Sequence, residues 1–141
     1  MHDCTLTTLD GASITLDTAT LDTLATTFHG SIITPRSDEY DETREIWNAM
    51  IDRKPGLIVQ CTGTADVLQT VRFAREHDLQ VSVRGAGHII AGKSSHDGVL
   101  LIALSLMRSV RVDPEARTAI AGPGATLGDV DHETQAHGLA V

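Results

Sequence analysis

Gln80-Val81-Ser82-Val83-Arg84-Gly85-Ala86-Gly87-His88-Ile89-Ile90-Ala91-Gly92 is the stretch from which the rest of the chain can be read. Its first half alternates β-branched and polar residues, the period of two that marks a strand. Its second half drops to residues with little or no side chain. Gly85, Ala86 and Gly87 remove bulk just where the strand ends, and glycine reaches positive φ without a Cβ penalty. Successive backbone N–H groups can then converge on one point and form an anion-binding nest. Arg84 stands where its charge could supplement the rim of that nest. A plain tight surface turn needs the same glycines, so both readings stay open at this point.

Working outward, Leu57-Ile58-Val59-Gln60 is a short apolar run after Pro55-Gly56 and reads as a buried strand. Thr64 opens a helix whose apolar face is expected to be Val67, Leu68, Val71 and Ala74, with Asp66 placed to suit the helix dipole. That helix should stop near His77-Asp78. Strand, helix and strand in this order make a βαβ unit, which implies a parallel pair joined by a right-handed crossover. Downstream, Val99 to Leu104 is a third strand and Val110 to Val112 a fourth. The turn residues Asp113-Pro114-Glu115-Ala116-Arg117 lead into a fifth strand, Thr118 to Ala121. Gly122-Pro123-Gly124 breaks it, and Thr126 caps a final helix through Asp129, Val130 and Thr134 that stops near His137-Gly138.

The N-terminal part is less patterned. Residues 1–17 are rich in Thr and Asp and read as a tail with at most a short strand. Leu21, Leu24, Ala25 and Phe28 have helical spacing, with Gly30 as the stop. Ile32-Ile33 before Pro35 suggests a short extended piece. Asp41 is placed to cap a helix running through Glu42, Ile46 and Met50. The resulting fold class is α+β with an α/β-like first lobe: a βαβ unit followed by a mixed small sheet.

Composition narrows the function. Apolar residues make up 41% and charged residues 21% of the chain, which is ordinary for a globular domain. A net charge of −8 argues against nucleic acid and against an anionic membrane surface. It does not exclude a phosphate site built from backbone N–H groups. Cys4 and Cys61 make no disulfide framework or zinc pattern, and Cys61 is expected in the core. His132 and His137 lack the i, i+4 spacing of paired ligands, so no metal site is expected. There is no Gly-x-Ser-x-Gly nucleophile elbow. Asp38, Glu39, Asp41 and Glu42 read as solvated surface. With no apolar stretch of spanning length and no secretory pattern at Met1-His2-Asp3-Cys4, a cytoplasmic protein is expected.

His88 at the lip of the glycine loop adds a nucleophile, because a neutral imidazole nitrogen can form a covalent bond to a cofactor. A Rossmann dinucleotide loop fits poorly, since Ile90 stands where GxGxxG requires its third glycine. The stretch instead resembles the loop of the PCMH-type FAD-binding domain of the vanillyl-alcohol-oxidase and p-cresol-methylhydroxylase superfamily. The closest likeness is to the berberine-bridge-enzyme-like FAD-linked oxidases, whose loop reads Arg-Gly-Gly-Gly-His or a near variant followed by Ala-Gly. Here that is Arg84 to His88 and then Ala91-Gly92. The likeness continues in order through Tyr40-Asp41-Glu42-Thr43-Arg44, Trp47-Asn48, Pro55 to Val59, Ala65-Asp66-Val67, Asp97-Gly98, Leu104-Ser105, Val112-Asp113-Pro114, Gly124-Ala125, Gly128-Asp129 and His137-Gly138-Leu139. Three residues depart from it: Ala86 for the middle glycine, Ile89 for a polar residue, and Ala103 for an aspartate.

The resemblance implies the first half of such a domain. It divides the chain into an N-terminal segment, 1–30, and a first lobe, 31–141, cut before a second lobe and a substrate domain. FAD is then held by Arg84, Gly85, Ala86, Gly87, His88, Ile89 and Gly92, with His88 as a point of covalent attachment. Gly122 to Ala125 is placed near the flavin ring or the pyrophosphate, and Cys61 is not a second attachment point. The complete protein is expected to pass a hydride from an alcohol- or amine-type carbon of a small-molecule substrate to the flavin. No catalytic side chain is assigned within this chain. The other reading is a non-catalytic flavin- or nucleotide-binding fragment.

Overall fold

Two strands buried on both faces form the centre of the computed structural model, which describes residues 2–88 and 91–141. They are β4 (Leu57–Gln60) and β6 (Leu100–Ala103), paired in parallel with Leu57 opposite Leu100 and Val59 opposite Ile102. Near-continuous apolar runs are what a strand covered on both sides requires. β5 (Val81–Arg84) pairs in parallel with the other side of β6, and β3 (Ser31–Ile33) pairs antiparallel with β4, giving the order β3-β4-β6-β5. The expected strands are therefore present, but β4 and β5 are not direct neighbours. The later strand β6 enters between them.

Side chains alternate across this sheet. Leu57, Val59, Leu100 and Ile102 face a cluster completed by Leu21, Leu24, Phe73 and Ala74. Those four come from α1 (Thr18–Ala25) and α3 (Thr64–Glu76). On the opposite face Ile33, Ile58, Leu101 and Ala103 pack with Tyr40 of α2 (Tyr40–Arg44), whose hydroxyl donates to the carbonyl of Pro55 at 2.7 Å. Cys61 is fully buried in the first cluster.

Residues 2–17 are not a tail. They form the hairpin β1 (Cys4–Thr7) and β2 (Ser13–Leu16), which buries Cys4, Leu6 and Leu16 in the first cluster. The hairpin is also tied by main-chain bonds from Thr7 N–H to Gly98 and from Gln80 N–H to Thr7, each 2.8 Å. The expected helix from Asp41 to Met50 ends at Arg44, because the carbonyls that would continue it are taken by a distant arginine. α3 is turned from its expected face. Ala74 is buried and Val67 packs against the first cluster as expected, but Leu68 and Val71 are exposed and Asp66, Thr70 and Phe73 are buried in their place.

Asp66 is buried because its carboxylate is saturated. One oxygen accepts from the N–H and the hydroxyl of Thr62, both at 2.8 Å, and the other from the N–H of His29 at 3.1 Å. At the far end of the chain, β7 (Val110–Asp113) and β8 (Thr118–Ala121) form a hairpin turned by Asp113, whose carboxylate accepts from the N–H groups of Glu115 and Ala116. α4 (Leu127–Gln135) follows, with a complete capping box between Thr126 and Asp129 as its start. Among the described residues no helix is long and apolar enough to cross a membrane.

Two outcomes test this account. Leu6→Ala should destabilise the chain by roughly 2–5 kcal/mol in denaturant unfolding, the cost of a core cavity; a tail would show no effect. Burial pushes the Asp66 carboxyl up, but the hydrogen bonds from Thr62 and His29 outweigh it and hold it below the usual range. Its stabilising effect is therefore complete above the unfolded value near pH 4 and fades as pH falls through the folded one. Asp66→Asn should cost about 1–3 kcal/mol at pH 7, and that difference should shrink in unfolding curves taken progressively below about pH 4.

Candidate functional site

The glycine loop leaves β5 at the carboxyl edge of the sheet, where open α/β sheets hold ligands. Gln60 at the end of β4, Arg84 and Gly85 at the end of β5, and Ser105 just past β6 all line one cleft there. Its opposite wall is the segment Glu42 to Trp47. Gly85, Ala86 and Gly87 form its lip, and among the described residues their N–H groups meet no protein acceptor.

Each glycine here has a different reason. A Cβ on Gly85 would lie 2.4 Å from the carbonyl oxygen of Pro123, so this residue is small because the Gly122–Gly124 strand break presses against it. Gly87 has φ +78° and is buried, the backbone state that the nest reading requires. Gly92, with φ +64°, backs onto the Ile51 side chain. The pressing of Pro123 on Gly85 brings Gly122 to Gly124 beside the loop.

Arg84 does not project into solvent at the rim. It is buried, and its guanidinium donates to the carbonyls of Arg44 at 3.1 Å, Glu45 at 3.0 Å and Thr43. These are the carbonyls that would accept from residues 47–49 in a longer helix, which explains why α2 stops. Burial pushes the Arg84 guanidinium pKa down, with three carbonyl dipoles around it in place of a counter-carboxylate. Glu42 and Glu45, both exposed, stand on the opposite wall. Positive potential for an anion must come chiefly from the loop's own N–H dipoles.

His88 is exposed, and its ring stacks against the indole of Trp47 with centroids 6.2 Å apart and planes inclined by 28°. Ile89 lies outside the described residues. Sequence reasoning noticed Trp47 only as part of a motif; its position over His88 depends on contacts with residues far along the chain. Gln60 and Ser105 were likewise missed, though the ends of parallel strands are a readable signal.

With this geometry in place, the comparisons with known proteins agree on its class. The family model described as the FAD binding domain matches residues 55–141, and the chain belongs to that family. It is 34% identical over 111 residues to (R)-6-hydroxynicotine oxidase of Paenarthrobacter nicotinovorans, covering 79% of this chain and 24% of that protein. Berberine bridge enzyme-like 2 of Arabidopsis thaliana is 30% identical over 99 residues, covering 66% and 18%. The crystal structure of 6-hydroxy-D-nicotine oxidase from Arthrobacter nicotinovorans superimposes with a TM-score of 0.75 at 34% identity, over 80% of this chain and 25% of that one. The chain thus spans about a quarter or less of the length of these relatives. Its fold is that of the first half of a PCMH-type, berberine-bridge-enzyme-like FAD-binding domain, the FAD-binding portion of FAD-linked oxidoreductases.

The Arg84 clamp is open to test. Arg84→Met should destabilise the chain by roughly 2–4 kcal/mol in denaturant unfolding, because buried hydrogen bonds to a charged group are lost. Arg84→Lys should recover only part of this, since one ammonium cannot span three carbonyls as a planar fork does.

Proposed function

We propose that FAD lies along this cleft, with its pyrophosphate on the N–H groups of Gly85, Ala86 and Gly87 and its ring system at His88. The observation that carries the reading is the set of loop N–H groups without a protein acceptor among the described residues, next to an exposed histidine. The chemistry of the lip suits the group: small residues, main-chain donors and open space. His88 is the proposed attachment point: its imidazole nitrogen would replace one hydrogen of the flavin 8α-methyl, with loss of two protons, and the two electrons released would leave through the flavin to an external acceptor such as oxygen. Arg84 contributes by fixing the opposite wall, and Gly92 by letting the loop turn against Ile51.

The complete protein is proposed to be an oxidoreductase acting on a small molecule with an alcohol- or amine-type carbon. Bound flavin supplies the capacity to accept a hydride and to pass electrons onward. The residues of this chain bind and orient that group. No substrate-side residue is assigned within this chain, which spans 24% of the length of (R)-6-hydroxynicotine oxidase.

The deciding experiment is denaturing. The protein is produced with flavin available, precipitated in acid and digested, and the peptide containing His88 is weighed. The expected result is an FAD-sized addition on His88, absent from His88→Ala. Flavin released entirely to the supernatant would limit the claim to a non-covalent site; no flavin in either fraction would count against flavin binding by this chain.

A further inference from the structure

The chain has four aromatic residues, and they are not treated alike. Tyr40 and Phe73 are buried and Phe28 packs against the core. Trp47, the single tryptophan, is 71% exposed and stands at the cleft. Leaving an indole in water forfeits a large apolar burial, so a ring held there in a fixed place calls for a reason.

It is held. Trp47 lies near the start of a strap running from Glu45 to Lys54 that is clamped at both ends. At the start, the Arg84 guanidinium grips the carbonyls of residues 43–45 from the sheet side. At the end, Arg44 pairs with Asp52 and donates to the Arg53 carbonyl at 3.2 Å, while Asp97 binds the Arg53 guanidinium at 2.8 Å and the Lys54 N–H at 2.7 Å. Between the clamps, Ile46 lies under Gly87 and Ile51 under Gly92, so strap and glycine loop run along each other. The backbone beside Trp47 is fixed from the buried side while its ring stands exposed at the mouth, against His88.

We propose that Trp47 is a flavin-contact residue whose indole offers a stacking face to the isoalloxazine beside His88. This rests on the flavin reading above. The chemistry is that of an electron-rich ring meeting a flat, electron-poor fused ring. It assigns the two parts of the cofactor to different elements: pyrophosphate to the loop, ring system to the strap.

The test compares two ligands that share a pyrophosphate. The full chain carrying His88→Asn, which keeps a planar side chain and prevents a covalent bond, is titrated with FAD and with ADP by calorimetry. Adding Trp47→Ala should weaken FAD about tenfold, in line with loss of one aromatic stacking contact, and leave ADP unchanged. Trp47→Phe should restore most of the affinity, and emission from bound flavin should rise in Trp47→Ala because its quencher is gone. Equal weakening of FAD and ADP would overturn the inference by making Trp47 a structural prop, and so would no change in either. Failure of FAD to bind before Trp47 is altered would instead count against the flavin reading, and this inference would fall with it.

Discussion

The site depends on one buried guanidinium. Arg84 ends the edge strand β5 and reaches across to the carbonyls of residues 43–45. Through that reach a single residue does three things. It stops α2 after five residues, it closes the side of the cleft, and it fixes the backbone that carries Trp47. Arginine suits the task because its planar fork spreads donors over several acceptors, where an ammonium is a point charge. A buried cation without a counter-ion is costly unless its hydrogen bonds are made. The geometry of the strap is therefore coupled to the stability of the sheet edge.

Topology then explains why the loop lies where it does. β4, β5 and β6 run in parallel, so their carboxyl ends lie on one side, and the residues leaving them meet there. The insertion of β6 between β4 and β5 makes the connection after β5 turn back over the sheet to begin a strand on its inner side. That return path carries Gly85, Gly87 and Gly92 along the Glu45–Lys54 strap. A helix in this connection would pair most of its own N–H groups. The loop instead leaves the N–H groups of Gly85, Ala86 and Gly87 without a protein acceptor among the described residues.

Much of this was legible in the sequence, and the misses share a cause. The strand before the loop, the βαβ elements, the Thr126 cap and the Asp113 turn rest on local patterns, and each stands where those patterns put it. The expected extension of α2 to Met50 failed because the competing donor is Arg84, some forty residues away. The face of α3 was misjudged because Asp66 and Thr70 look polar. Their buried hydrogen bonds, including Thr70 hydroxyl to Asp66 carbonyl at 2.8 Å, let them turn inward while Leu68 and Val71 turn out. The N-terminal hairpin was missed because its strands are four residues long and rich in threonine. Cys4 and Leu6 do carry the period-two signal, in a run too short to stand out.

The electrostatics of the cleft explain its division of labour. The chain is acidic, and Glu42 and Glu45 face the loop across the cleft. The nearby cation, Arg84, is committed to carbonyls. An anionic ligand must therefore be held by oriented N–H dipoles, which act at close range and need no side-chain charge. Such dipoles recognise a phosphate but say nothing about what is attached to it. Discrimination must come from groups that read the rest of the molecule, and on the flavin reading proposed above that role falls to the two rings at the mouth, Trp47 and His88. Both have been positioned by backbone contacts made elsewhere: His88 by the loop that Gly85 packs under Pro123, Trp47 by the strap that Arg84 holds.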